Sequence, residues 1–111
     1  MDLLTSLVYV GILSNMKAEL LFKERVVQTE NSFAELVLWR VPVIVEGSRH
    51  PFKYRLAYVV DGQCVLRYDN ESGKGDHKHV GLVETDYLFT TPAQLLADFW
   101  QAIDDWRQHH A

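Results

Sequence analysis

The chain has 111 residues, 48% of them hydrophobic and 23% charged, with a formal net charge of −4. That length supports one domain around a single core and leaves no room for a second, and the composition excludes both a disordered chain and a membrane bundle. A single cysteine, Cys64, excludes a disulfide within the chain and fits a reducing cytoplasm, and its apolar neighbours in "QCVL" predict a small buried thiol.

The charge is unevenly spread. Residues 1–48 hold four bases and six acids, residues 49–81 six bases and four acids, and residues 82–111 one base and five acids. Only the middle third is basic, and it also carries His50, His77 and His79. An acidic chain with one basic region is a poor coat for long nucleic acid, yet it can present a local phosphate site.

In chain order, "MDLLTSLVYVGILSN" comes first. It carries Asp2 in place of a basic n-region and has no small-x-small cleavage site, so it does not read as a signal peptide. Its apolar run is far short of the ~20 residues a membrane span needs, and no membrane association is expected. Residues 1–15 therefore read as an extension before a single domain over 16–111, with Met16 as a second candidate start.

"KAELLFKERVVQ" alternates Ala18, Leu20 and Phe22 with Glu19, Lys23 and Arg25, a strand signal. After the turn residues "TENS", "FAELVLWRVPVIV" predicts a second strand with Phe33, Val37, Trp39 and Val41 on one face, and "EGSRHP" a further turn. "FKYRLAYVV" and "QCVLRYDN" then flank Asp61-Gly62, the signature of a two-residue type I′ hairpin. Counting back from that turn pairs Val60 with Gln63, Val59 with Cys64, Tyr58 with Val65, Leu56 with Arg67 and Tyr54 with Asp69. It also brings Lys53, Arg55, Arg67, Tyr68, Asp69 and Asn70 to one rim.

The polar stretch "RYDNESGKGDHKH" follows that rim and reads as a long loop. At the C-terminus, Thr91 as N-cap, Pro92 at the first helical position and Gln94 as the partner in a capping box begin a helix. Leu95, Leu96, Phe99, Trp100, Ile103 and Trp106 form its apolar face, and Asp98, Asp104 and Asp105 face water. The fold class is α+β, an antiparallel meander packed against a C-terminal amphipathic helix. Trp39, Trp100 and Trp106 are assigned to the core, and His109-His110 to a tail.

Three chemistries compete for the loop 69–79. If "DHKH" is extended, His77 and His79 share one face and bind a metal with Asp69 or Asp76. Gly73, Lys74 and Gly75 form a small phosphate cradle, but the spacing of a P-loop is absent. Metal-free RNA cleavage needs a group titrating near neutrality, cations for the phosphorane and an acid for the leaving oxygen. His77 and His79 serve as base and acid there, Lys74, Arg67 and Arg55 as charge stabilisers, and Tyr68 as stacking platform or proton donor. The catalytic set is then His77, His79, Lys74, Asp76, Asp69 and Arg67, with Lys53, Arg55, Tyr68, Asn70, Gly73 and Gly75 binding substrate. The alternative is a solvated loop whose acids pair with nearby bases.

"FKYRLAYVVDG", "VLRYDNESGKGDHKH" and "LLADFW", over about residues 17–107, resemble the TumE family of toxins from type II toxin–antitoxin systems. The resemblance implies a small cytoplasmic toxin encoded beside an antitoxin, commonly one with a DNA-binding helix-turn-helix, that neutralises it by tight binding. It does not supply a reaction. Two expectations follow: a small endoribonuclease acting on RNA through the loop 69–79, or a non-catalytic toxin or adaptor that binds a cellular partner through that loop. No cofactor is expected, and divalent-metal dependence is left open.

Overall fold

The computed structural model describes residues 17–111, so the expectations about residues 1–15 and Met16 lie outside the described residues. Six strands follow one another as an antiparallel meander in spatial order β1 to β6: β1 (Glu19–Thr29), β2 (Ser32–Arg40), β3 (Phe52–Val60), β4 (Gln63–Glu71), β5 (Gly75–Val80) and β6 (Val83–Asp86). One helix, α1 (Pro92–His109), packs on one face of the sheet. The α+β meander read from the sequence is the observed fold.

The period of two decides which face α1 covers. Ala34, Leu36 and Leu38 of β2, Tyr54, Leu56 and Tyr58 of β3, and Leu66 and Tyr68 of β4 are buried together against Leu95, Phe99 and Ile103 of α1. Burying each of those helix side chains is worth roughly 1.5–3 kcal/mol, which is what docks the helix. Phe33, Val37 and Trp39 do share a face, but it is the one turned away from α1, so Trp39 is half-buried rather than part of this core. Thr91 caps α1 as expected, its Oγ1 accepting from the Gln94 N–H at 3.1 Å. The Gln94 side chain does not complete a capping box; it donates to Asp98 at 2.7 Å. Asp98 is not a solvated position either, because it accepts from Tyr87 Oη at 2.6 Å.

The hairpin register corrects the count from the turn. Asp61 and Gly62 both have positive φ, 50° and 77°, as a type I′ turn requires, and Val60–Gln63 and Val59–Cys64 pair as expected. The register then shifts by one, giving Tyr58–Leu66, Leu56–Tyr68 and Arg55–Asp69. A bulge at Val65 absorbs the extra residue, and the cause is burial: it lets Leu66, Tyr68 and Asn70 face the same side as Tyr54, Leu56 and Tyr58. Cys64 lies outside this core and is exposed, so the buried-thiol reading fails.

Two further expectations change. The second strand ends at Arg40 rather than continuing to Val45, and residues 41–51 form a connection. The stretch 69–79 is not a long loop: β4 runs to Glu71, a turn occupies residues 72–74, and β5 begins at Gly75. The connection 41–51 lies against that turn, with the Gly73 N–H donating to Glu46 O at 2.8 Å. Gly47 and Gly75 meet backbone to backbone, and a Cβ on Gly75 would stand 2.7 Å from Gly47 O.

Candidate functional site

The face turned away from α1 carries two side-chain rows that cross all six strands. Pairing places Arg25, Glu35, Ala57, Arg67, His79 and Glu84 in one row, and Lys23, Val37, Arg55, Asp69, His77 and Asp86 in the next. His77 and His79 therefore share a face, and Lys78 between them points to the helix side. The polarity of this segment belongs to an open sheet face, not to a loop.

Around the histidines the contacts are close. Arg67 Nη2 lies 3.0 Å from His79 Nε2; a guanidinium only donates, so Nε2 accepts and the imidazole proton is on Nδ1. Arg67 Nε also stands 3.0 Å from Asp69 Oδ2, an ion-pair contact not aligned as a hydrogen bond. His77 Nδ1 donates to Gly75 O at 3.0 Å, which turns Nε2 toward Asp86 Oδ1 at 3.3 Å and Glu84 Oε1 at 3.9 Å. Glu84 Oε1 is a hub, also 3.9 Å from His79 Nε2 and 3.7 Å from Lys74 Nζ. Lys53 donates to Asn70 O at 3.1 Å; burial lowers the pKa of its ammonium, partly offset by Asp69 and Glu71.

Of the residues proposed from sequence, Arg67, Asp69, His77 and His79 come together in this cluster, with Lys74 at its margin and Lys53 and Arg55 on the same face. Tyr68, Asn70 and Asp76 fall on the other face. Tyr68 is buried edge-on against Tyr87 and Phe99, and burial raises its phenol pKa, so it is no platform for a base. Asn70, 1% exposed, donates to Phe52 O at 2.8 Å and Ser48 Oγ at 3.2 Å. Asp76 accepts from Tyr54 Oη at 2.6 Å, Ser48 Oγ at 2.7 Å and His50 Nε2 at 2.8 Å. His50 Nδ1 accepts from the Phe52 N–H at 3.2 Å, which fixes the proton on Nε2. That network pins the 41–51 connection to β3, β4 and β5.

Gly73 and Gly75 are likewise occupied. The Gly73 N–H goes to Glu46 O and the Lys74 N–H to Glu71 O at 3.1 Å, which leaves those two donors nothing for a phosphate. Gly75 serves the close approach to Gly47.

Glu84 and Asp86 were missed by the sequence reading, which stopped the motif at His79. The alternation in "VETD" after the turn at Gly81 and Leu82 is the signal that extends the face to them. Ser48 and His50 had no such signal, because their partner Asp76 is 28 and 26 residues away.

A groove of about 480 Å³ between α1 and β5, lined by Leu66, Lys78, Tyr87, Asp98 and Trp106 among others, lies on the helix side of the sheet, away from the histidine cluster. Among the described residues no group of three or more His, Cys, Asp or Glu side chains is arranged to hold a metal ion. Among them, too, no helix is long and apolar enough to cross a membrane.

Neither the curated proteins nor the solved structures contain a match to this chain. A family model does match, that of Toxin TumE, over residues 14–107, which takes in β1 through most of α1. With most of its length aligned to that model, histidine face included, the chain belongs to the TumE toxin family.

Proposed function

We propose that this toxin acts on RNA as a small endoribonuclease, through the sheet face that carries Arg67, Asp69, His77 and His79, and that its cognate antitoxin bears a helix-turn-helix. Family membership supplies the toxin role and implies an antitoxin partner. The observation that carries the reaction is the contrast between two imidazoles on one face: His79 Nε2 faces a guanidinium and His77 Nε2 faces two carboxylates.

That contrast assigns roles. Arg67 turns to the phosphate and frees His79 Nε2, which takes the proton of the 2′-hydroxyl. The 2′-oxygen attacks phosphorus, and Arg67, Arg55 and Lys53 hold the charge of the phosphorane. The P–O5′ bond breaks, His77 gives its Nε2 proton to the leaving 5′-oxygen, and a 2′,3′-cyclic phosphate remains. Asp69 holds Arg67, while Glu84 and Asp86 hold His77 in the donor state. Those same two carboxylates are what favours the non-catalytic reading, since they also suit a basic patch on a partner protein.

The experiment is expression of the chain alone with growth and total RNA followed together, beside His77→Ala. Growth arrest with RNA fragmentation, both lost in His77→Ala, is the expected result. Arrest with intact RNA would overturn the ribonuclease reading in favour of the adaptor.

A further inference from the structure

The two rows that reach the histidines begin at β1 with cations. Arg25 lies with its guanidinium 3.8 Å from the centre of the Phe33 ring, and its side chain is 60% exposed despite a 3.8 Å contact to Glu35. Lys23 and Arg55, in the neighbouring row, are exposed and make no ion pair or side-chain hydrogen bond among the described residues. Four inter-strand steps of ~4.8 Å separate β1 from β5, so the distance along a row is about 19 Å. At the far end, Glu84 and Asp86 on β6 close the rows with negative charge. A polyanion is thus attracted from β1 to β5 and repelled beyond it, which would place one particular bond over the histidines.

We infer that this face is a track for a single-stranded RNA several nucleotides long, with a distal subsite at Lys23, Arg25 and Phe33. The inference rests on the ribonuclease reading and adds the length and strandedness of the substrate. Unpaired bases stack on guanidinium planes and aromatic rings, and the Arg25–Phe33 pair presents such a surface. Lys23 and Arg55 meet successive phosphates on the way to Arg67. The span exceeds a dinucleotide, so short substrates reach the histidines without touching β1.

The test measures binding and cleavage separately. Non-cleavable 2′-O-methyl dinucleotide and octanucleotide are titrated by fluorescence anisotropy at several salt concentrations, and the matching unmodified RNAs are assayed for cleavage. The proteins are wild type, the Lys23→Ala/Arg25→Ala double variant and Arg55→Ala, each checked for folding by thermal unfolding. Expected is octanucleotide binding at least ~10-fold tighter than dinucleotide binding, a comparable loss in the double variant, and unchanged dinucleotide binding. The salt slope should fall by about 1.4, from ~0.7 per lost phosphate contact. Arg55→Ala, on a central strand, should weaken the octanucleotide in the same way. Octanucleotide affinity and salt slope equal to wild type in both variants would overturn the track. Length-dependent binding without cleavage keeps the track and removes the ribonuclease reading, and cleavage indifferent to Lys23, Arg25 and length does the reverse.

Discussion

Arg67 Nη2 and His79 Nε2 are 3.0 Å apart across the β4–β5 pair, so one guanidinium holds the imidazole while its Nε rests on Asp69. The strands set this arrangement: Arg67 pairs with His79, and the next row pairs Asp69 with His77.

Arg67→Lys preserves the charge but loses the fork that reaches Asp69 and His79 together. RNA cleavage should fall by about 10²–10³-fold, the scale for losing one donor to the transition state, with little change in thermal stability. Steady-state cleavage beside a melting curve checks both halves. Equal activity in the two proteins would separate Arg67 from the reaction.

Asp76, assigned to catalysis from its place in the motif, should instead behave as a structural residue. Asp76→Ala orphans the donors on Tyr54, Ser48 and His50, and each buried group left unpaired costs ~1–3 kcal/mol. Urea unfolding should show a loss of at least ~2 kcal/mol, while Asp69→Ala should lose activity with a smaller change in stability.

How far the sequence carried the reading depends on the range of the forces. The Asp-Gly turn and the Thr91 cap are local, so both were legible, and the turn gave its first two pairs correctly. The register beyond Val59 was not, because the bulge at Val65 follows from what Leu66 and Tyr68 must bury against α1, more than 25 residues later. The motif 67–79 drew attention to the right residues for an incomplete reason: its polarity was taken for a loop, whereas alternation sorts it into an open face with Arg67, Asp69, His77 and His79 and a covered face with Tyr68, Asn70 and Asp76. Nothing local distinguishes Asp69 from Asp76. Their separation depends on tertiary contacts to the 41–51 connection.

Gly75 is held at φ +76 with the Gly47 carbonyl where a side chain would go, and Gly73 has φ +84 with open space around it. Gly73→Ala should cost about 1 kcal/mol for its backbone alone, and Gly75→Ala clearly more because backbone must also move. Unfolding free energies of the two variants decide this, and equal losses would contradict the close approach.

Alkaline pH should unfold the protein through its buried phenols. Burial raises the pKa of Tyr54, Tyr68 and Tyr87, and the Asp76 and Asp98 carboxylates push Tyr54 and Tyr87 further. A raised folded pKa means a stabilisation fully present below the ordinary phenol value of 10.0 and lost above it, as the unfolded chain ionises first. Urea midpoints should be insensitive to these groups from neutrality to that pH and fall beyond it. Tyr87→Phe should soften the fall.

The most direct test of the histidine face uses three consecutive residues. His77→Ala, Lys78→Ala and His79→Ala are compared in single-turnover RNA cleavage, after folding is confirmed by circular dichroism. His77 and His79 lie on the open face and Lys78 on the face toward α1. The account predicts a loss of ~10²–10⁴-fold for each histidine and near-wild-type cleavage for Lys78→Ala. Full activity in both histidine variants, or an equal loss in all three, would contradict it.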